Sequence, residues 1–197
     1  MFKKNILIYL FLFFLIISKS FSIEPDIFVQ STVNRASKLL AEDIPKEQKI
    51  EELKSIAKDT VDIKGISFYT LGSKRKDLSD EEKTIYTELF EKYFLKSFSS
   101  RLAEYTDPRI RVDSQKKLND KYTMVSSTLL ATDKKPEIKI DWRVVTKNPD
   151  KPLIIDVVIE GVSLAKVQKE EFSSIIQNND GDINALFINL KEFVEKE

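Results

Sequence analysis

The hydrophobic pattern predicts an α+β domain: a curved antiparallel sheet of about four strands packed against a layer of helices, with an apolar pocket between them. Three observations carry this expectation. Apolar residues recur at helical spacing up to about residue 105, alternate from 109 to 160, and return to helical spacing from 164. The stretches Asp133-Lys134-Lys135-Pro136 and Lys147-Asn148-Pro149-Asp150 are rich in turn residues and too short to join anything but antiparallel neighbours. One helix, finally, carries large apolar residues around most of its circumference and therefore needs cover on more than one side.

Taken in order, the chain opens with Lys3 and Lys4, an apolar run over residues 6–17, and Ser20-Phe21-Ser22, with small residues three places and one place before the expected cut. This is the pattern of a cleaved secretory signal over residues 1–22. The run is shorter than the roughly 20 residues that cross a bilayer, and Lys19 closes it. The remaining stretch, 23–197, is long enough for one domain with a real core. Ile27, Phe28, Val33, Ala36, Leu39 and Leu40 form a helical stripe over residues 25–40, with Pro25 in the first turn. A second helix starts at Pro45 and carries Ile50, Leu53, Ile56 and Ala57; a third covers 63–71 and stops at Gly72. Ser79-Asp80-Glu81-Glu82 is a capping box that opens the longest helix, over 80–105, and Asp107-Pro108 ends it. Residues 109–112, 122–131, 138–146 and 153–160 read as strands. In the third, Ile138, Ile140, Trp142 and Val144 alternate with Lys139, Asp141 and Arg143, so one face is buried and the other meets water. Beyond Gly161, Leu164, Val167, Phe172, Ile175 and Ile176 form one helical stripe, Asn178-Asn179-Asp180-Gly181 breaks it, and Ile183, Leu186, Phe187, Leu190 and Val194 form the last.

The long helix is the most informative element. Ile85, Tyr86, Leu89, Phe90, Tyr93, Phe94, Leu95, Phe98, Leu102 and Tyr105 spread over far more than the ~100° stripe of a surface helix. Two readings fit this width: a central core helix, or a helix whose aromatic side walls an apolar cavity.

Composition narrows the chemistry. The chain has no histidine and no cysteine, so it cannot build a Ser-His-Asp triad, a Cys-His pair or a His/Cys zinc site. Lys+Arg and Asp+Glu both number 32, and removing the three lysines of the signal leaves a slight acidic excess, which gives no electrostatic case for nucleic acid. Asp180 and Asp182 beside Asn178 lack the spacing of a calcium loop and read as a turn with a helix cap. Lys74-Arg75-Lys76 reads as a solvated loop that could also meet a lipid headgroup or an acidic partner. Asp156, in an apolar strand, is the one carboxylate out of place: it sits either on the solvent face or hydrogen-bonded near the end of the sheet. A hydrolase or isomerase built on Asp156 would need a paired acid or base, and the sequence offers no obvious second member. The expectation is a binding protein without cofactor or metal.

Two stretches resemble the MlaC family, also called toluene-tolerance proteins. The first is Ile66-Ser67-Phe68-Tyr69-Thr70-Leu71-Gly72 with Leu78-Ser79-Asp80-Glu81-Glu82 and the aromatic helix after it; the second is Ile138 to Trp142, then Ile155-Asp156-Val157-Val158-Ile159-Glu160-Gly161-Val162-Ser163-Leu164. The chain departs from the family pattern at Lys74 and Arg75, at Pro152 and Leu153, and at Lys169, where the family favours an aromatic, a Trp and an Arg respectively. The resemblance implies a periplasmic monomer that binds phospholipid in a deep apolar pocket. It also implies transient exchange with an outer-membrane lipoprotein complex and an inner-membrane ABC transporter bearing an MCE-domain ring, in maintenance of outer-membrane lipid asymmetry. Carriage of another apolar ligand, a sterol or an organic solvent, is the alternative. The expected pocket lining is Leu89, Phe90, Tyr93, Phe94 and Phe98 from the long helix, with Val125, Leu129, Ile138, Ile140, Trp142, Val157 and Ile159 from the strands.

Overall fold

A computed structural model describes residues 23–133 and 135–196. The expected signal at 1–22 lies outside them. Among the described residues, no helix is long and apolar enough to cross a membrane.

Among the described residues, six α-helices and a five-stranded antiparallel sheet make up the fold, with the strands in sequential order β1-β2-β3-β4-β5. Helix α1 (Pro25–Ala41) buries Val29, Val33 and Leu40, spaced four and seven apart on one face. Helix α2 (Lys46–Thr60) buries Leu53, Ala57 and Thr60, with Pro45 standing just outside it as the cap residue. The chain then bridges to the sheet: Val61 pairs with Ile154, and the Asp62 amide donates to the Ile154 carbonyl at 2.9 Å. Asp62 next caps helix α3 (Ile63–Leu71), its carboxylate accepting from the Gly65 amide. Gly72, at φ +59°, turns the chain out of α3 into a short 3₁₀ turn through Lys76; a side chain there would be strained and would crowd Lys169.

The capping box forms as read: Ser79 accepts from the Glu82 amide, and the Glu82 carboxylate accepts from the Ser79 amide at 2.7 Å, which holds that carboxyl below its usual range. Helix α4 (Asp80–Leu102) stops three residues short of the expected 105, because Glu104 and Tyr105 tighten into turns onto Arg101 and Leu102 ahead of Pro108. Helix α5 (Leu164–Gln177) and helix α6 (Ile183–Glu195) are joined by a turn with Asp180 and Gly181 at positive φ, and Asp182 caps α6. The turn-and-cap reading of the Asn178–Asp182 run therefore describes what is there.

Strand β1 (Ile110–Lys117) is twice as long as expected and carries a bulge after Val112; its second half, Ser114-Gln115-Lys116-Lys117, has no apolar alternation to announce it. Its free edge is partly occupied by Gln30 of α1, whose amide oxygen accepts from Val112 N–H at 3.0 Å and whose NH₂ donates to the Ile110 carbonyl. Strands β2 (Tyr122–Leu129), β3 (Ile138–Val145) and β4 (Leu153–Ile159) lie within a residue or two of expectation. The fifth strand, β5 (Val162–Ser163), is two residues long and below what periodicity can register.

The interior divides into distinct apolar clusters. The largest is helical: Ala57, Ile63, Ile66, Leu71, Tyr86, Phe90, Phe172, Ile176, Leu186 and Leu190 are among its buried members. A second joins α1 to the sheet through Val29, Val33, Val125 and Val144. A third, Leu39, Leu40 and Leu53, ties α1 to α2 and the end of α4. Lys96 locks α6 onto the body: its ammonium donates to the Val194 and Lys196 carbonyls at the helix C-terminus, where a cation also meets the negative end of the helix dipole.

Candidate ligand-binding face

Antiparallel partners share a face, so the register assigns each strand residue a side. Leu129 stands opposite Ile138, Ile140 opposite Ile159, and Trp142 opposite both Val125 and Val157. All seven strand residues expected at the pocket thus lie on one face of the sheet. Three residues missing from that expectation extend it: Ile110 opposite Leu129, Val112 opposite Ser127, and Val162 opposite Ile159. The reverse face is polar, with Ser126 donating to Asp141 at 2.6 Å and Thr128 to Asp113 at 2.7 Å; Asp113, also paired with Arg111, is held below the usual carboxylate range.

The apolar face is only partly covered. Helix α1 lays Phe28, Val29 and Val33 over Val125, Val144, Ile110, Val112 and Trp142. Ile140 is 7% exposed, whereas Leu129, Ile138, Trp142, Val157 and Ile159 remain half-buried. Trp142 is fixed in place: its indole N–H donates to the Ser127 hydroxyl at 2.8 Å, and that hydroxyl donates in turn to the Ile140 carbonyl. A buried serine on an apolar face thereby anchors the largest side chain there.

The helical members of the expected lining come together in a separate cluster. Phe90, 1% exposed, is enclosed by Tyr86, Tyr93, Phe94 and an edge-on Phe172, with ring centroids 6.0–6.3 Å away. Leu89, Tyr93, Phe94 and Phe98 are half-buried around it; Phe94 and Phe98 stack at 5.5 Å. The Tyr93 hydroxyl donates to Gln168 on α5, and burial raises its pKa. Helix α4 packs mainly on α6, α2 and α3 rather than on the strands. The structure therefore gathers the twelve expected residues into two groups, seven on the sheet face and five on the helix. Phe90 itself is core.

Asp156 resolves into an architectural role. It is 4% exposed, with Oδ2 accepting from the Ser163 hydroxyl at 2.7 Å and from the Arg143 guanidinium at 3.3 Å, and Oδ1 accepting from the Ala165 amide at 3.1 Å. Ser163 also caps α5. Between β4 and β5, Glu160 and Gly161 take φ of +48° and +82°, the two-residue turn with both central residues left-handed. Glu160 offsets that strain by binding β3: its carboxylate accepts from the Lys139 amide, and its own amide donates to the Lys139 carbonyl. The Asp-Val…Glu-Gly-Val-Ser segment is thus a lock on the junction of sheet and helix. Lys169 lies over the Tyr69 ring at 5.2 Å, so the basic character of that position is spent on a cation–π contact beside Gly72.

An antiparallel sheet with one continuous, half-covered apolar face, set beside a helical body and with its only misplaced carboxylate engaged by three donors, defines a binding protein for apolar ligands. The chain belongs to the MlaC family: the family model, described as MlaC protein, matches residues 30–192. That family consists of periplasmic, non-enzymatic lipid-binding proteins. Among solved structures, the chain is similar to a phospholipid-binding protein from Ralstonia solanacearum, determined in complex with a phospholipid. The TM-score is 0.73 at 17% identity, over 87% of this chain and 97% of that one. A comparison with curated proteins gives no match.

Proposed function

We propose that this protein carries a phospholipid across the periplasm, between an outer-membrane lipoprotein complex and an inner-membrane MCE-domain ABC transporter, after removal of residues 1–22 as a secretory signal. The observation that supports carriage most directly is the sheet face on which Leu129, Ile138, Trp142, Val157 and Ile159 stay half-buried beside fully buried neighbours. A face this apolar is costly to leave to water unless something covers it. An acyl chain of about 15 methylenes has the matching need: exposing it costs roughly 12 kcal/mol at ~0.8 kcal/mol per CH₂, so a carrier must shield nearly all of it. In this reading the chains lie between the sheet face and the half-buried aromatics Phe94 and Phe98, and residues 23–197 act as one domain.

Native mass spectrometry of residues 23–197 purified from a bacterial periplasm, with organic extraction of the bound material, tests this. Adducts of phospholipid mass are expected. Sterol or solvent masses would redirect the assignment to another apolar cargo, and a protein that stays empty after incubation with liposomes would overturn carriage. Leu129→Asp and Phe94→Asp place a charge in the proposed lining, and each is expected to abolish lipid retention in a chain that still folds. Normal lipid content in both would remove these residues from the lining.

A further inference from the structure

At one end of the apolar face the lining changes character. Ile110 and Leu129 form the last cross-strand pair of that face on the β1–β2 side, and Leu130 comes directly after, its amide donating to the Arg109 carbonyl at 2.8 Å. Just beyond lies a depression of about 270 Å³ between the C-terminal half of α1 and the loop from α4 to β1. Its lining sets the apolar Ala41, Pro108, Ile110 and Leu130 beside Asn34, Ser37, Lys38 and Arg109. The one carboxylate present, Asp107, is already paired with Arg109 at 3.3 Å. Lys38 has no ion pair among the described residues, whereas its neighbour Arg35 is paired with Asp59. The Asn34 side-chain oxygen is occupied by Gln30, which leaves its NH₂ as a donor. The depression is thus net cationic, rich in donors, and continuous with the apolar face.

Resting on the carriage reading above, we propose that this depression holds the headgroup of the carried lipid, and that Lys38 biases the carrier toward headgroups with net negative charge. The junction of tail and headgroup in a phospholipid is apolar on one side and anionic on the other, and a lining that combines Ile110 and Leu130 with Lys38 and its donors offers a partner for each. A zwitterionic headgroup brings its own ammonium toward Lys38 and loses part of the gain. An anionic one does not.

The test loads residues 23–197 from vesicles of equal phosphatidylglycerol and phosphatidylethanolamine and reads total lipid and headgroup ratio separately by native mass spectrometry and extraction. The wild type is expected to favour phosphatidylglycerol, and Lys38→Glu to lower that ratio roughly fivefold while total lipid is unchanged. Lys121→Glu, on the turn between β1 and β2 at the opposite end of the sheet, makes the same change in net charge and is expected to leave the ratio alone. An unchanged ratio in Lys38→Glu, or an equal shift in Lys121→Glu, overturns the headgroup site and leaves carriage standing. A wild type that takes up no lipid overturns both. Inorganic phosphate that binds at Lys38 in the lipid-loaded protein without changing the ratio would assign the depression to a free anion and likewise overturn it.

Discussion

The helical body and the sheet bury apolar side chains in opposite styles. Around α4 the rings of Tyr86, Phe90, Tyr93, Phe94 and Phe172 fill one another's surroundings, and Leu186 and Leu190 of α6 are fully buried against them. On the sheet, α1 seals Val125 and Val144 completely but leaves Ile138, Trp142, Val157 and Ile159 half-covered. Closed packing gives stability; incomplete packing leaves room for something else. The two regions meet along β4, where Val61 and Asp62 dock on Ile154 and where Asp156 holds the start of α5. The fold is therefore a rigid body that supports an unfinished face.

If this division is real, equivalent truncations should cost unequal amounts. Phe90→Ala removes a fully buried ring from the helical core and is expected to cost about 3–5 kcal/mol, read as a fall in the urea midpoint at constant slope. Ile159→Ala on the sheet face is expected to cost under about 2 kcal/mol, because its side chain is already part-exposed and leaves no sealed cavity. Equal losses would break the comparison. The junction comes next in size. Asp156→Ala leaves the Ser163 hydroxyl, the Ala165 amide and the Arg143 guanidinium without their shared acceptor, and is expected to cost about 2–3 kcal/mol. Asp156→Asn keeps one carbonyl oxygen and should recover part of that loss in the same denaturation assay. A full loss with Asn would mean that the charge on Asp156, rather than its acceptor geometry, holds the junction.

Much of this division was legible in the sequence. Alternation in β3 announced a two-faced sheet, but the pairing between strands is not written in the sequence, and it is the register of the structure that puts Val125, Leu129, Val157 and Ile159 on the same face as Trp142. The breadth of apolar residues on α4 announced a helix covered on several sides, but the cover comes from α6, α2 and α3, not chiefly from the sheet. Periodicity tells how much of a helix is buried and is silent on what buries it. That is why Phe90 looked like a cavity wall and is core. Of the side chains of α1 that close part of the sheet face, Val33 was visible only as part of an ordinary amphipathic stripe and Val29 lay outside that stripe, while Ser127 carried no signal at all because its importance arises from Trp142 across the strand. Asp156 is the instructive middle case. Its misplacement in an apolar strand was plain from the sequence, while its three donors, from residues 143, 163 and 165, converge only once the turn at Glu160-Gly161 folds the chain back.

The smallest effect probes the closed region by its chemistry. Tyr86 is fully buried, its hydroxyl 2.8 Å from that of Thr70, which donates to the Ser67 carbonyl, so the phenol is left to donate to Thr70. Burial raises the pKa of Tyr86, and also that of Tyr93. A raised pKa in an acid means that the folded protein keeps a proton that the unfolded chain gives up. The contribution to stability is therefore fully present below the unfolded tyrosine pKa of about 10 and is lost as pH rises from there through the folded value. Tyr86→Phe is expected to cost about 1 kcal/mol at pH 8, where it removes one hydrogen bond and exposes nothing. It should also make the decline above pH ~10 shallower, since Tyr93 alone of the pair then remains to titrate. Urea midpoints for both proteins across that range separate the two effects. Parallel declines would show that Tyr86 gives up its proton at the same pH in the folded and unfolded states, and would remove it from the alkaline response.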